Sequence, residues 1–333
     1  MTADNRFRAL LVEKTDQGFT RRVVDREVGE LPEGDVLIDV HYSSLNYKDA
    51  LSATGNPGVT RKFPHTPGID AAGVVLESGS SEFAAGDEVI VIGYDLGMNT
   101  PGGFGQRIRV PAGWVIVRPD GLTLHEAMVL GTAGFTAALC VDKLEHAGMT
   151  PESGPVLVTG ATGGVGSVAV LLLARLGYTV AAVTGKTDRH EFLRSLGASE
   201  ILSREEARQG GDRPLLKERW GGVVDTVGGE TLFNAVKSLR YGCSAAACGL
   251  VESAQIPASV FPFILRNVNL LGVDSVELPR ARKAEVWQKL AGPWKLEGLD
   301  ALEQRLTLDT ISAAIDRILA GEMVGRGVLD LRA

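Results

Sequence analysis

The sequence predicts an α/β protein in which a doubly wound parallel sheet of the dinucleotide-binding kind is joined to a second, β-rich domain. Three observations predict this: a strand, glycine turn and helix between Pro155 and Gly177, an alternation of strands and helices after it, and a series of β-patterned segments before it. In the first, Val156-Leu157-Val158 is an apolar run bounded by Pro155 and Gly160, as expected of a strand buried on both faces. Glycines 160, 163, 164 and 166 crowd the turn, and Val168, Ala169, Leu171, Leu172, Ala174 and Leu176 continue as a buried helix capped at Gly177. A helix N-terminus behind such a turn directs backbone N–H groups at an anion, and the missing Cβ atoms let phosphates approach. Thr162, Gly163, Gly164 and Val165 are therefore expected to hold a dinucleotide pyrophosphate. The spacing Gly160-x-x-Gly163-x-x-Gly166 is a variant of the dinucleotide fingerprint. Gly185-Lys186-Thr187 imitates the end of a nucleoside-triphosphate loop, but Val180 stands where the leading glycine belongs, so that motif is excluded.

Residues 1 to 125 carry short β-branched or aromatic runs (FRALLVEK, VLIDVHYS, GVVLES, DEVIVIGY, QRIRVPA, WVIVRPD) separated by Gly, Pro, Asp and Asn turns. Strands at this spacing predict a small, partly open barrel. Two segments between them, Ser43–Gly55 and Gly93–Gly105, read as irregular and as candidates for lining a cleft. A helical run from Leu124 to His146 leads out of this region. Strands are then expected at 156–159, 179–184, 200–202, 223–227, 244–248 and 270–273, with helices at 189–196 and 231–239 between them. Helices near 282–290 and 310–319 and a strand at 327–331 close the chain.

The 333 residues are ample for two domains, and 44% hydrophobic with 23% charged residues is an ordinary composition for a globular protein. A net charge of −7 argues against a general nucleic-acid or anionic-membrane partner. The N-terminal segment lacks the apolar core of a signal peptide, and no stretch approaches eighteen uninterrupted apolar residues, so a cytoplasmic location is expected. Cys140, Cys243 and Cys248 form no C-x-x-C pair and read as apolar filling.

The end of the second strand of the sheet distinguishes NADH from NADPH. An NADH site places Asp or Glu about twenty residues beyond the turn, on the ribose 2′-hydroxyl. Here Val183-Thr184-Gly185-Lys186 offers no carboxylate, while Thr184, Gly185 and Lys186, with Arg204 after the third strand, suit a 2′-phosphate. The expected cofactor is NADPH.

Several motifs, in order over almost the whole chain, resemble the medium-chain dehydrogenase/reductase superfamily. They are Pro64-x-x-Pro67-Gly68-Ile69-Asp70-x-x-Gly73-x-Val75, Gly86-Asp87-x-Val89, the VTGATGGVG turn, Val224-Asp225-x-Val227-Gly228 and Gly325-Arg326-Gly327-Val328. Ser44-Leu45-Asn46-Tyr47-Lys48-Asp49-Ala50, Arg61-Lys62-Phe63-Pro64, Gly131-Thr132-Ala133-Gly134-Phe135-Thr136 and Leu271-Gly272-Val273-Asp274-Ser275-Val276 look like its quinone-oxidoreductase-like, NADPH-dependent acryloyl-CoA reductase branch. The resemblance implies a GroES-like catalytic β-barrel domain at 1–126, a Rossmann NADPH-binding domain at 127–274 and a tail at 275–333 that returns to the catalytic domain. It departs from the zinc alcohol dehydrogenases, which carry Cys where Asn46 or Tyr47 falls and Gly-His-Glu where Gly68-Ile69-Asp70 stands. With Ile69 in place of the His, the ligands of a catalytic zinc are missing and no metal is expected.

Without a Lewis acid, a conjugated alkene is the easier acceptor, because the charge left by hydride attack on the β-carbon spreads into a thioester enolate. The expected activity is reduction of an enoyl-CoA such as acryloyl-CoA; a quinone or enone reductase and a non-catalytic, crystallin-like NADPH-binding protein are the alternatives. Tyr47 and Asn46 are the catalytic candidates. A phenol keeps its proton near neutral pH, so Tyr47 is assigned to polarising the substrate or protonating the α-carbon, with solvent as the other proton source. Asn46 is assigned to orienting the nicotinamide ribose or the substrate carbonyl. The resemblance further implies that Tyr47, Thr136, Gly249, Leu250, Ser275 and Arg326 approach the cofactor. Arg61 and Lys62, with Arg280 and Arg282, are placed where CoA phosphates would be met, and the strand at 270–273 resembles an edge through which such enzymes form homodimers.

Overall fold

The computed structural model describes residues 5–333. The chain opens with an antiparallel hairpin, β1 (Arg6–Thr15) and β2 (Gly18–Glu27). Then come β3 (Val36–Leu45), the short helix α1 (Tyr47–Ala53), β4 (Asp70–Ser78), β5 (Glu88–Ile92), β6 (Arg107–Val110) and β7 (Val115–Val117). Helix α2 (Leu124–His146) is followed by β8 (Val156–Val158), α3 (Gly164–Arg175), β9 (Val180–Val183), α4 (His190–Ser195), β10 (Ala198–Leu202), α5 (Arg204–Arg208) and β11 (Gly222–Asp225). Next are α6 (Gly229–Lys237), β12 (Ser244–Ala247), α7 (Phe261–Arg266), β13 (Asn269–Gly272), α8 (Arg280–Ala291), β14 (Glu303–Leu306), α9 (Ile311–Leu319) and β15 (Arg326–Asp330). Two compact units result, one of residues 5–132 with 276–333 and one of Ala133–Ser275.

The first unit is built on a seven-stranded sheet in the order β14-β15-β3-β4-β5-β7, with β6 also paired to β3. β15, from the end of the chain, lies antiparallel to β3 with Gly327 opposite Leu45. β3 is buried on both faces because its alternate residues face two clusters. Val36, Ile38 and Val40 pack with Val89, Val91, Ile108 and the inner face of α9 (Ile311, Ala314, Ile315), and Leu37 packs with Phe7 and Ala9 of β1. The segment expected to be irregular, Ser43–Gly55, is instead the end of β3 followed by α1. Asn46 is the N-cap of that helix and Asp49 its third residue, a capping spacing that marks a helix start even where only two turns follow.

The second unit contains a six-stranded parallel sheet in the order β10-β9-β8-β11-β12-β13. Each expected strand of this sheet is present, shorter than expected by a residue or two at most positions. Its order, third-second-first-fourth-fifth-sixth, is that of a doubly wound dinucleotide-binding sheet. Leu157, Ala181, Val183, Val223 and Ala245 from the sheet pack against Leu232, Phe233 and Val236 of α6.

Helix α2 is apolar and long enough to cross a membrane by length and composition, but most of it is buried and it breaks at Gly131, the mark of a core helix. Gly131 adopts φ 51°, and a Cβ there would sit 2.4 Å from Ser44 Oγ, 2.6 Å from Asp70 Oδ2 and 2.7 Å from Arg326 Nη2. Only glycine fits that kink.

Candidate active site

In the first unit, β3, β4, β15 and the kink of α2 bring a set of polar side chains together out of water. Asp70 at the start of β4 is fully buried and accepts hydrogen bonds from Ser44 Oγ, Asn46 Nδ2 (2.8 Å), Thr132 N (2.9 Å) and Thr132 Oγ1 (2.5 Å). Arg326 at the start of β15 is 2% exposed and lies 3.9 Å from the Asp70 carboxylate. Its Nη2 donates to Ser44 Oγ (2.9 Å), its Nη1 to Asn46 Oδ1 (3.2 Å) and its Nε to the Val129 carbonyl (3.0 Å). Ser44 therefore relays between guanidinium and carboxylate. Burial lowers the Arg326 pKa, Asp70 and Asp49 oppose that shift, and an arginine so placed stays protonated.

Asp49 completes the set. Its carboxylate accepts from the backbone N–H of Asn46 (2.7 Å) and of Ile69 (2.8 Å), tying the start of α1 to the start of β4. Burial, and then the neighbouring charge of Asp70, push its pKa up to about 7. In the second unit, burial pushes Asp225 up to about 6, against the opposing bonds from Thr159 Oγ1 and from the Gly228 and Val227 N–H groups. The sign for stability follows directly. A carboxyl whose folded pKa lies above its unfolded value of about 4 binds its proton more tightly in the folded state. Its contribution to stability is therefore lost as pH rises from about 4 to about 7 for Asp49, and from about 4 to about 6 for Asp225. The melting temperature is expected to fall between pH 5 and pH 8, and Asp49→Asn to flatten that decline in a fluorimetric melting series. Equal slopes in the two proteins would place the titration elsewhere.

The second unit presents a cofactor cradle. Helix α3 begins at Gly164 with Gly163 as N-cap, and no side chain caps its first turn. A Cβ on Gly166 would meet the Gly160 carbonyl oxygen at 2.3 Å, so the helix can enter this close to the turn only as glycine. At the end of β9, the buried Thr184 hydroxyl accepts from Lys186 N–H (3.0 Å) and lies 3.5 Å from Thr162 Oγ1. The Arg204 guanidinium covers Gly185, where a Cβ would lie 2.7 Å from Nε. Thr162, Thr184, Gly185, the backbone of Lys186 and the Arg204 guanidinium thus come together, and an uncapped helix start with an arginine at the neighbouring strand end fits a dinucleotide carrying a 2′-phosphate.

Thr136 and Ser275 meet through a 2.9 Å hydrogen bond between their hydroxyls, both buried. Gly163, Gly164 and Val165 are half-buried at the turn, and Gly249 and the exposed Leu250 follow β12. Tyr47 is 48% exposed, the first residue of α1. Arg61 and Lys62 are exposed, with Arg61 Nε on the Pro57 carbonyl. Arg326 points into the buried cluster, where its donors meet Ser44, Asn46 and backbone carbonyls. Asn46 likewise directs its amide inward, onto Asp70, the Ser44 carbonyl and Arg326. Arg280 and Arg282 are paired with Glu82 and Glu285. Sequence reasoning assigned no role to Asp49, Ser44 or Thr132; the three-residue spacing of Asn46 and Asp49 was the one local signal for this cluster.

Comparisons with known proteins agree with this architecture. Residues 32–120 match the alcohol dehydrogenase GroES-like domain and residues 164–292 the zinc-binding dehydrogenase family. The chain is 45% identical to acrylyl-CoA reductase AcuI of Ruegeria pomeroyi, over 98% of its own length and 100% of that protein. It is 43% identical to the putative quinone oxidoreductase YhfP of Bacillus subtilis, over 98% of its length and 99% of the relative, and the NAD-bound crystal structure of that protein superposes with a TM-score of 0.96. The YhdH oxidoreductase from Salmonella enterica in complex with NADP superposes with a TM-score of 0.94 at 46% identity, over 97% of this chain and 99% of that one.

The second family description raises zinc, and the residues do not fit it. Asp70 is saturated by four donors and faces a guanidinium, Ile69 offers no ligand atom, and among the described residues no three His, Cys, Asp or Glu side chains converge as a ligand set. An arginine cation occupies the position beside Asp70.

Proposed function

The chain belongs to the medium-chain dehydrogenase/reductase family, in the branch of acrylyl-CoA reductases and quinone-oxidoreductase-like enzymes, and on that premise we propose that it reduces the C=C bond of acryloyl-CoA to give propionyl-CoA, with NADPH as cofactor. The observation that carries this reading is the 45% identity to acrylyl-CoA reductase over the full length of that relative. NADPH, when bound, supplies the hydride for the β-carbon. The pyrophosphate rests on the first turn of α3 through Thr162, Gly163, Gly164 and Val165, and Thr184, Gly185, Lys186 and Arg204 hold the 2′-phosphate. Thr136, Ser275, Gly249 and Leu250 flank the nicotinamide end. Tyr47, exposed at the head of α1, donates a hydrogen bond to the thioester oxygen as charge develops on it, or passes a proton to the α-carbon. The exposed Arg61 and Lys62 meet the phosphates of CoA.

Absorbance of NADPH at 340 nm, followed with acryloyl-CoA, free acrylate and a quinone in parallel, tests the reading. Turnover is expected with the CoA thioester and not with the free acid. The resemblance to YhfP favours the second reading, a quinone reductase, which turnover with the quinone alone would establish.

The reading includes a cytoplasmic homodimer. β13 is an edge strand, and beside it in sequence Leu250, Val251, Val260, Phe261, Ile264 and Leu265 are 45–75% exposed. An unpaired strand edge next to so many exposed apolar side chains suits sheet continuation into a second copy of the chain. Ile264→Asp combined with Leu265→Asp is expected to halve the mass measured by light scattering; an unchanged mass would move the interface elsewhere.

A further inference from the structure

We propose that Asp70 and Arg326 are positioning residues for the reduction: together they fix the side-chain amide of Asn46, and through it the first turn of α1 from which Tyr47 projects. An asparagine amide can sit in two orientations that differ by exchange of its nitrogen and oxygen. Here both neighbours are one-way partners. An ionised carboxylate only accepts and a guanidinium only donates, so Nδ2 must face Asp70 Oδ2 (2.8 Å) and Oδ1 must face Arg326 Nη1 (3.2 Å). The reverse orientation would set an amide oxygen against a carboxylate and an amide N–H against a guanidinium N–H. Nδ2 also donates to the Ser44 carbonyl at 3.3 Å, so both hydrogens of the amide nitrogen and the amide oxygen are engaged.

The clamp reaches the helix because Asn46 is its N-cap. The backbone N–H of Asn46 is held by Asp49, which holds Ile69 N–H as well, so residues 46 and 49 are bonded to the successive residues Asp70 and Ile69. Thr132 anchors the other side of Asp70 by its N–H and its hydroxyl. Every group in this arrangement is buried or half-buried, whereas Tyr47, the next residue along the chain, is 48% exposed. The network thus leaves Tyr47 exposed at the first position of the helix with its backbone held on either side.

This inference rests on the reading that Tyr47 meets the substrate, and a double-mutant cycle separates the two. Asp70→Asn keeps the shape but removes the one-way acceptor. With acryloyl-CoA at saturating NADPH, Tyr47→Phe is expected to lower kcat by about 100-fold, on the scale of general acid assistance. Asp70→Asn is expected to lower kcat by about 10-fold or more, while the NADPH dissociation constant, read by nucleotide fluorescence, stays within about twofold. The double variant should then be no slower than Tyr47→Phe alone, because a misplaced tyrosine and a missing hydroxyl are the same loss. Asn46→Ala, which removes the clamped amide and leaves Asp70 bonded to Ser44 and Thr132, provides a second cycle with the same expectation if Asp70→Asn does not fold. Losses that multiply in the cycle, or an unchanged kcat in Asp70→Asn, would overturn the positioning role while leaving the tyrosine assignment standing. A wild-type kcat in Tyr47→Phe would overturn that assignment, and the clamp's purpose with it.

Discussion

Replacing Arg326 with leucine is expected to destabilise the first unit by about 3–5 kcal/mol, the cost of leaving a buried carboxylate without its counter-charge. The argument is one of asymmetry. An ion pair in the interior adds little net stability when complete, since desolvation of both groups offsets their attraction. Removing one member leaves the other charged in a medium that cannot solvate it. Asp70 is fully buried and Arg326 is 2% exposed, so water cannot replace the guanidinium. Ser44 Oγ, Asn46 Oδ1 and the Val129 carbonyl lose their donors at the same time. By contrast, Arg8→Leu removes a pair with Asp309 whose side chains are 45% and 74% exposed, and should change stability by less than about 1 kcal/mol. Calorimetric melting of the two variants checks the contrast. Similar small losses for both would show that the pair with Arg326 does not hold this cluster together.

Removing Lys186 and Arg204 together, as alanines, is expected to weaken NADPH binding by about 100-fold or more while NADH binding changes by less than about threefold. Each charge-assisted bond to a phosphate contributes on the order of 1.5–3 kcal/mol, or roughly a factor of 10 to 150. NADH has no 2′-phosphate to lose contact with. The two residues are close at neighbouring strand ends: Lys186 N–H is fixed on the Thr184 hydroxyl, and the Arg204 guanidinium lies over the intervening Gly185. Titration of both cofactors by fluorescence reads the effect directly. Equal losses for the two would contradict the assignment and place these cations on the pyrophosphate or on no ligand at all. Relatives crystallised with NADP and with NAD make the discrimination a question to measure in this chain.

How much could be read in advance differs sharply between the two units. The parallel sheet was legible because its evidence is local. Short apolar runs such as Val156–Val158 and Val180–Val183, each followed by a helix, need no distant partner to be recognised. The glycine turn at 160–166 and the strand end at 184–186 are legible for the same reason, since each is carried by a few consecutive residues. The short helix at Tyr47–Ala53 was read as an irregular cleft segment, because two turns leave no room for an apolar period to show. The buried cluster was not legible in its essential part. Asn46 and Arg326 are 280 residues apart, and nothing in either neighbourhood announces the other. A lone arginine after Gly325 reads as a ligand contact or a surface charge until the sheet places β15 beside β3. Asn46 is named from its local motif, but the side from which its amide is approached depends on that long-range pairing.

The buried arginine beside Asp70 also bears on how this unit assembles. That cation belongs to the polypeptide and reaches its place when β15 joins β3, so the counter-charge of Asp70 is set only once the last strand of the chain has paired.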